Sequence, residues 1–267
     1  MSRVALSFLL VAALGSAASA QPRAPKVKPA CGINWLPMVE GREWTYAAIS
    51  DPNNEPITDE LAMTLEKAQK TAPKQAATVV IKVVKVAESP TGAEITLEEK
   101  AGELTLQTIL RCTKDKMEIS PQSFLFAGEP GGGLLTKLDK VAYEGIGFPG
   151  AAGFPKKFKN KLTVKAEVLR EASAKTGAAL SPGRMELELD LENTGLDQAF
   201  SQDVKINVRA DRIAFDISGR AAVAPQLDKT FEMPLGIKGR FWYGAGIGLI
   251  MVQNRLGHWY QLVAAPK

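Results

Sequence analysis

Histidine, cysteine and helical periodicity are all scarce in this chain. Among 267 residues there is one histidine, His258, and there are two cysteines, Cys31 and Cys112. A zinc site of the ordinary kind draws on several His and Cys ligands, so none is expected. No C-x-x-C pair exists to support dithiol redox chemistry. The 29 acids include no D-x-[DN]-x-[DN]-G spacing, which removes the EF-hand calcium loop. No G-x-S-x-G elbow accompanies His258, which follows Gly257 at an expected turn and reads as an exposed hairpin residue. A glycosidase pair stays open, because acids remote in sequence can meet in space. "GIGFPG" (Gly145–Gly150) spells G-x-G-x-x-G, but Pro149 lies inside it and "AAGFP" follows. No helix begins there to receive a pyrophosphate. "GEPGGGLLTK" lacks the Gly-Lys-Ser/Thr of a phosphate loop. The expectation is a non-enzymatic protein with no cofactor and no metal.

One-sided charge is missing too. A formal net charge of +4 is too small to imply nucleic acid, and the aromatics are not interleaved with a basic patch. The densest basic stretch, "KKFKNK" (Lys156–Lys161), reads as a solvated turn, with contact to anionic lipid or polysaccharide as the alternative. What the first twenty residues contain sets the compartment. Arg3, the apolar run "VALSFLLVAAL" (Val4–Leu14) and "ASA" (Ala18–Ala20) make residues 1–20 a cleavable signal peptide. The run is shorter than the ~20 residues a membrane span needs, and no later stretch is long enough. No cysteine directly follows it, so no lipid attachment is expected. The mature chain should be periplasmic or secreted, with no membrane span. Two cysteines in an exported protein then suggest a Cys31–Cys112 disulfide, two separate buried thiols being the alternative.

Residues 21–40 are Pro- and Lys-rich and read as an extended leader to a single β-rich domain over 41–267. Alternating, β-branched stretches recur from "GREWTYAAIS" (Gly41–Ser50) onward; "AG" between "AEITLEEK" and "ELTLQTILRC" marks a hairpin turn. The pattern predicts a mainly β fold built on a large antiparallel sheet, one face buried and one wet. Gly/Pro-rich residues 127–155 read as a long loop between halves 41–126 and 156–267, arranged either as a distant duplication or as two meanders of like design. "DELAMTLEKAQK" (Asp59–Lys70) is the one stretch with helical character. In "RMELELDLE", Leu187, Leu189 and Leu191 should be core, and Glu186, Glu188 and Asp190 a wet face paired with Lys205 and Arg209.

The closing stretch, "RFWYGAGIGLIMVQNRLGHWYQL" (240–262), holds Trp242 and Tyr243 beside glycines at alternate positions. Glycines spaced so along a strand would bare its backbone to a close neighbour. Either Trp44 or Tyr46 fills that space as core, or a groove for an apolar ligand lies there, with Trp44, Tyr46, Trp242, Tyr243, Gly246 and Gly248 as its candidate lining. Together, "GREWTY" and "WYGAGIGLIMVQ" resemble a loose pattern of uncharacterised exported bacterial β-rich proteins, G-x-x-W-x-Y early and W-[YF]-x-x-G-[IV]-G-L late. The matching residues are Gly41, Trp44, Tyr46, Trp242, Tyr243, Gly246, Gly248 and Leu249. The resemblance implies a curved sheet similar to the half-barrels of periplasmic lipoprotein carriers, and carries over no catalytic residue. Two functions follow as expectations. One is a binding protein holding a lipid, another apolar ligand or an envelope partner. The other is a structural or interaction protein without a pocket.

Overall fold

The computed structural model describes residues 36–52, 75–133, 138–149, 155–168, 183–224, 227–229 and 238–264. Period-two alternation turns nearly all of them into strands: β1 Glu43–Ile49, β2 Thr78–Ser89, β3 Gly92–Ala101, β4 Leu104–Thr113, β5 Lys116–Ile119, β6 Leu138–Gly145 and β7 Phe148–Pro149, then β8 Lys159–Val168, β9 Gly183–Ser201, β10 Ile206–Ala224, β11 Leu227–Lys229, β12 Gly239–Gly244, β13 Gly248–Gln253 and β14 Trp259–Ala264. One short helix, α1 (Phe124–Ala127), and a 3-10 turn at Pro130–Gly133 separate β5 from β6. The candidate helix over 59–70 and residues 21–35 of the expected leader lie outside the described residues; the leader's last part is not an extended tail, because Leu36 and Met38 are buried in the inner core.

All pairings are antiparallel, and they form one sheet in the order β6-β8-β9-β10-β12-β13-β14-β1-β2-β3-β4-β5-β7, with β11 on β10. The expected curved antiparallel sheet is thus present. Its two edge strands are neighbours in sequence. Among the described residues β6 pairs as a strand only with β8 and β7 only with β5, yet just residues 146–147 separate them. The Tyr143 hydroxyl of β6 donates to the Ile119 carbonyl of β5 at 3.2 Å. The sheet therefore curls until its edges meet across one short piece of chain. Residues 127–155, expected to be a loop, supply both of these edge strands.

The inward face is one continuous core. It joins Val79, Ile81 and Ile95 on one side to Leu162, Leu187 and Leu189 on the other. Side chains alone just fill a barrel of about eight strands. This larger sheet needs more, and residues 123–129 enter the interior to provide it, all of them buried.

β9 and β10 are each 19 residues long, and the hairpin they form bends. Register shifts between Asp211 and Ile213, and Gly195 takes a left-handed φ of 103°. Beyond the bend the tip lies over the outer face of β12–β14. There Ala199, Ala210, Trp242, Ile250, Met251 and Trp259 make a second, separate core. The Ser201 hydroxyl donates to the Leu262 carbonyl at 2.5 Å, and the Gln261 amide to the Phe200 carbonyl at 2.5 Å.

The leucines of β9 face the core as expected, and Asp190 is exposed. The acids' partners differ from expectation. The hairpin turn falls at 202–205, so Lys205 lies in the turn itself and Arg209 opposite Gln198, not beside the acids. Glu188 instead pairs with Lys161 of β8 at 2.9 Å.

Candidate functional site

The closing stretch does not form a strand groove. Gly244, Gly246 and Gly248 bracket the β12–β13 turn, which is closed by an Ile247 N–H bond to the Gly244 carbonyl at 3.1 Å. Gly246 and Gly248 hold φ of 74° and 105°, a left-handed region open to glycine at little cost. Gly246 is exposed, with nothing near its absent Cβ. Turn geometry, not a smooth strand face, requires these glycines.

Trp242 and Tyr243 are adjacent in a strand and so point to opposite faces. Tyr243 enters the inner core. Trp242 enters the outer one, stacked on Trp259 at 5.3 Å, with its indole N–H donating to Asp197 at 3.2 Å. Both are about as buried as residues can be, 2% and 1% exposed. The four candidate aromatics therefore share no single wall. Trp44 and Tyr46 do converge on the β12–β13 turn from the inner face: the indole N–H donates to the Ile247 carbonyl at 3.3 Å and the phenol to Leu249 at 3.1 Å. Packing of these two against the glycine-rich hairpin, one of the two expected arrangements, is what the structure contains.

Next to them is a group the sequence reading missed. The Phe124 ring lies between Tyr46, 5.2 Å away, and Tyr260, 5.3 Å away and edge-on. One turn of helix holds it there. Ser123 caps the turn by accepting from the Leu125 N–H at 3.1 Å, and Gly128 closes it with φ of 69°, its N–H reaching the Phe124 carbonyl at 2.8 Å. A Cβ on Gly128 would meet Val252 at 2.3 Å, so only glycine lets this segment lie against β13.

The segment is fastened by buried charge. Glu99 of β3 accepts from the Thr108 hydroxyl at 2.9 Å, the Ser123 hydroxyl at 2.5 Å and the Phe124 N–H at 2.7 Å. Burial pushes its carboxyl above the usual range, against the pull of those three bonds. At the other end Glu129 pairs with Arg255 at 3.2 Å, and burial likewise raises its carboxyl. The sequence did carry a signal for Glu99: alternation from Ile95 and Leu97 places it, not Glu98, on the inward face.

The remaining candidates fall elsewhere. His258 sits in the β13–β14 turn, half-buried, and burial lowers its imidazole pKa toward the neutral form. Its N–H donates to Asn254 at 2.9 Å, a turn-building role. Cys112 is buried on the inner face of β4, and no free cysteine occurs among the described residues. Cys31 lies outside them.

No protein-family model matches the chain, and no curated protein matches it. Two solved structures are similar to it. One is a protein of Parabacteroides distasonis described as a lipoprotein: 15% identity, TM-score 0.50, covering 89% of this chain and 99% of that one. The other, from Bacteroides fragilis, is described as exported and YmcC-like in fold: 16% identity, TM-score 0.43, covering 87% and 98%. At such identity the likeness to the first concerns the fold alone.

Proposed function

We propose that this is an exported, non-enzymatic binding protein of the cell envelope that holds an apolar ligand inside its curved sheet. The ligand's place is the one now filled by Phe124–Gly128. One observation carries the reading: the interior between Tyr46 and Tyr260 is occupied by a single helical turn, not by a second layer of structure. Phe124, Leu125 and Phe126 present a short apolar column of the kind an acyl chain would replace. It is fastened at its two ends, by Glu99 at one and by Asn254 and Arg255 at the other. Export rests on the signal sequence of residues 1–20, and the resemblance to half-barrel lipoprotein carriers agrees with this use of the sheet. The burial of Trp44, Tyr46, Trp242 and Tyr243 favours a second reading, an interaction protein with no pocket.

A fatty acid titrated into wild type and Phe124→Ala separates the two, with melting temperature as the readout. Truncating a core Phe costs about 3–5 kcal/mol. The binding reading expects a saturable rise in wild type and a larger one in Phe124→Ala, where the vacated space takes the ligand. Trp242→Phe should respond as wild type does, because Trp242 belongs to the outer core. No saturable rise in either wild type or Phe124→Ala would leave the interaction reading standing.

A further inference from the structure

The loops at one end of the sheet form a rim that neither the interior nor its occupant uses. Antiparallel register brings three of them together: residues 145–147 after β6, 155–158 before β8, and 193–196 at the bend of β9. They are cross-tied. The Ile146 N–H donates to the Lys161 carbonyl at 3.2 Å, and the Asn160 amide to Gly147 at 2.7 Å. Asn193 then binds the 155–158 loop twice, its N–H to the Phe158 carbonyl at 3.1 Å and its side chain to Pro155 at 3.0 Å. The same side chain accepts from the Gly195 N–H at 2.8 Å, fixing the bend. Two strand spacings, roughly 10 Å, separate the outer loops.

The rim's surface is amphipathic. Ile146 and Leu196, at 54% and 56%, are the most exposed large hydrophobic side chains among the described residues, and they stand on its two flanking loops. Between them Lys156, Lys157 and Lys159 are exposed and form no ion pair among the described residues, unlike Lys161 and Lys165 further along the strand. A shallow groove of about 640 Å³ runs between this lysine segment and the bend, with Glu192 its one acid. Asp190 and Asp216 lie beside Lys159 and Lys238 in a smaller depression. Cations interleaved with bare aliphatic side chains on a rigid edge match the interface of an anionic bilayer, where apolar tips enter the headgroup layer and ammonium groups meet phosphate. An anionic polysaccharide would gain nothing from Ile146 or Leu196.

We infer that the 145–147, 155–159 and 193–196 rim docks the protein on an anionic phospholipid surface, independently of whether the interior takes a ligand. The test is sedimentation of the purified exported protein with vesicles of phosphatidylcholine, with and without phosphatidylglycerol. Binding is expected only to the anionic vesicles and should weaken steeply with salt. Replacing all three lysines, K156Q/K157Q/K159Q, should reduce it on the order of a hundred-fold, at about five-fold per lysine. I146S/L196S should also reduce it, by at least ten-fold on the order of two buried aliphatic tips. All five positions are exposed, and circular dichroism would verify that both variants keep the β fold. Equal binding to neutral vesicles, or none to anionic ones at low salt, overturns the inference. So does unchanged binding by the lysine variant. Loss of binding to a sulfated polysaccharide in the lysine variant, with I146S/L196S silent on vesicles and polysaccharide alike, would assign the rim to polysaccharide and overturn it too.

Discussion

Glu99 shows how one residue sets the state of the interior. A buried carboxylate is costly unless its lone pairs are met, and here two hydroxyls and one backbone N–H meet them. Glu99→Ala would strand those donors, at about 1–3 kcal/mol for each that finds no substitute. Burial holds the folded-state pKa above the unfolded value of about 4.3. The folded state therefore binds more protons, so this group's contribution is complete below that value and declines as pH rises through the raised one. Urea unfolding of wild type and Glu99→Gln across that range gives the check. The stability of wild type relative to the variant should be greatest in acid and fall toward neutrality. A gap that widens with pH would mean that the three donors outweigh burial.

Single strands were the most legible scale. Alternation marks β3, β4, β8 and β9, because one face of each meets the core and the other meets water. The acidic strand gives the clean test. Leu189 is fully buried and Glu188 is part-exposed, 46% at its side chain, in a surface pair with Lys161. Leu189→Ala should cost about 2–5 kcal/mol, and Glu188→Ala less than about 1 kcal/mol, by chemical denaturation. Similar losses would mean that the two faces are exchanged. The second core was legible only in part. All six residues of β13 are buried, and an unbroken apolar run such as "GLIM" signals cover on both faces. What covers the outer face is the far end of β9 and β10, and no local pattern states that a hairpin folds back. Glycine spacing misled for a related reason: alternate glycines look like a bared strand, whereas positive φ at Gly246 and Gly248 belongs to a turn.

At the scale of the molecule, alternation implied a large antiparallel sheet and the resemblance its curvature, but neither implied closure. A Gly/Pro-rich stretch reads as a linker, and only three-dimensional placement reveals that 138–149 carries both edges of the sheet. A covalent link between the N-terminal segment and β4 would add to this closure. Cys112 lies on β4, paired in register with Ala93 of β3 and Met117 of β5, three strands from β1 in the sheet order. Three spacings amount to roughly 14 Å. Leu36, five residues after Cys31, is buried in the same inner core as Cys112, and five extended residues reach about 17 Å. A loop of about 80 residues closed in this way stabilises by roughly 4–5 kcal/mol in the chain-entropy model, less any strain. Non-reducing peptide mapping of exported protein should recover Cys31 and Cys112 in one linked pair. Reduction should then lower the unfolding free energy by that amount while the strands persist, since the loss acts on the unfolded chain and not on β4. Alkylation of both thiols in the unreduced, denatured protein would show that no such bridge forms, leaving closure to contacts such as the Tyr143 bond and the β7 pairing.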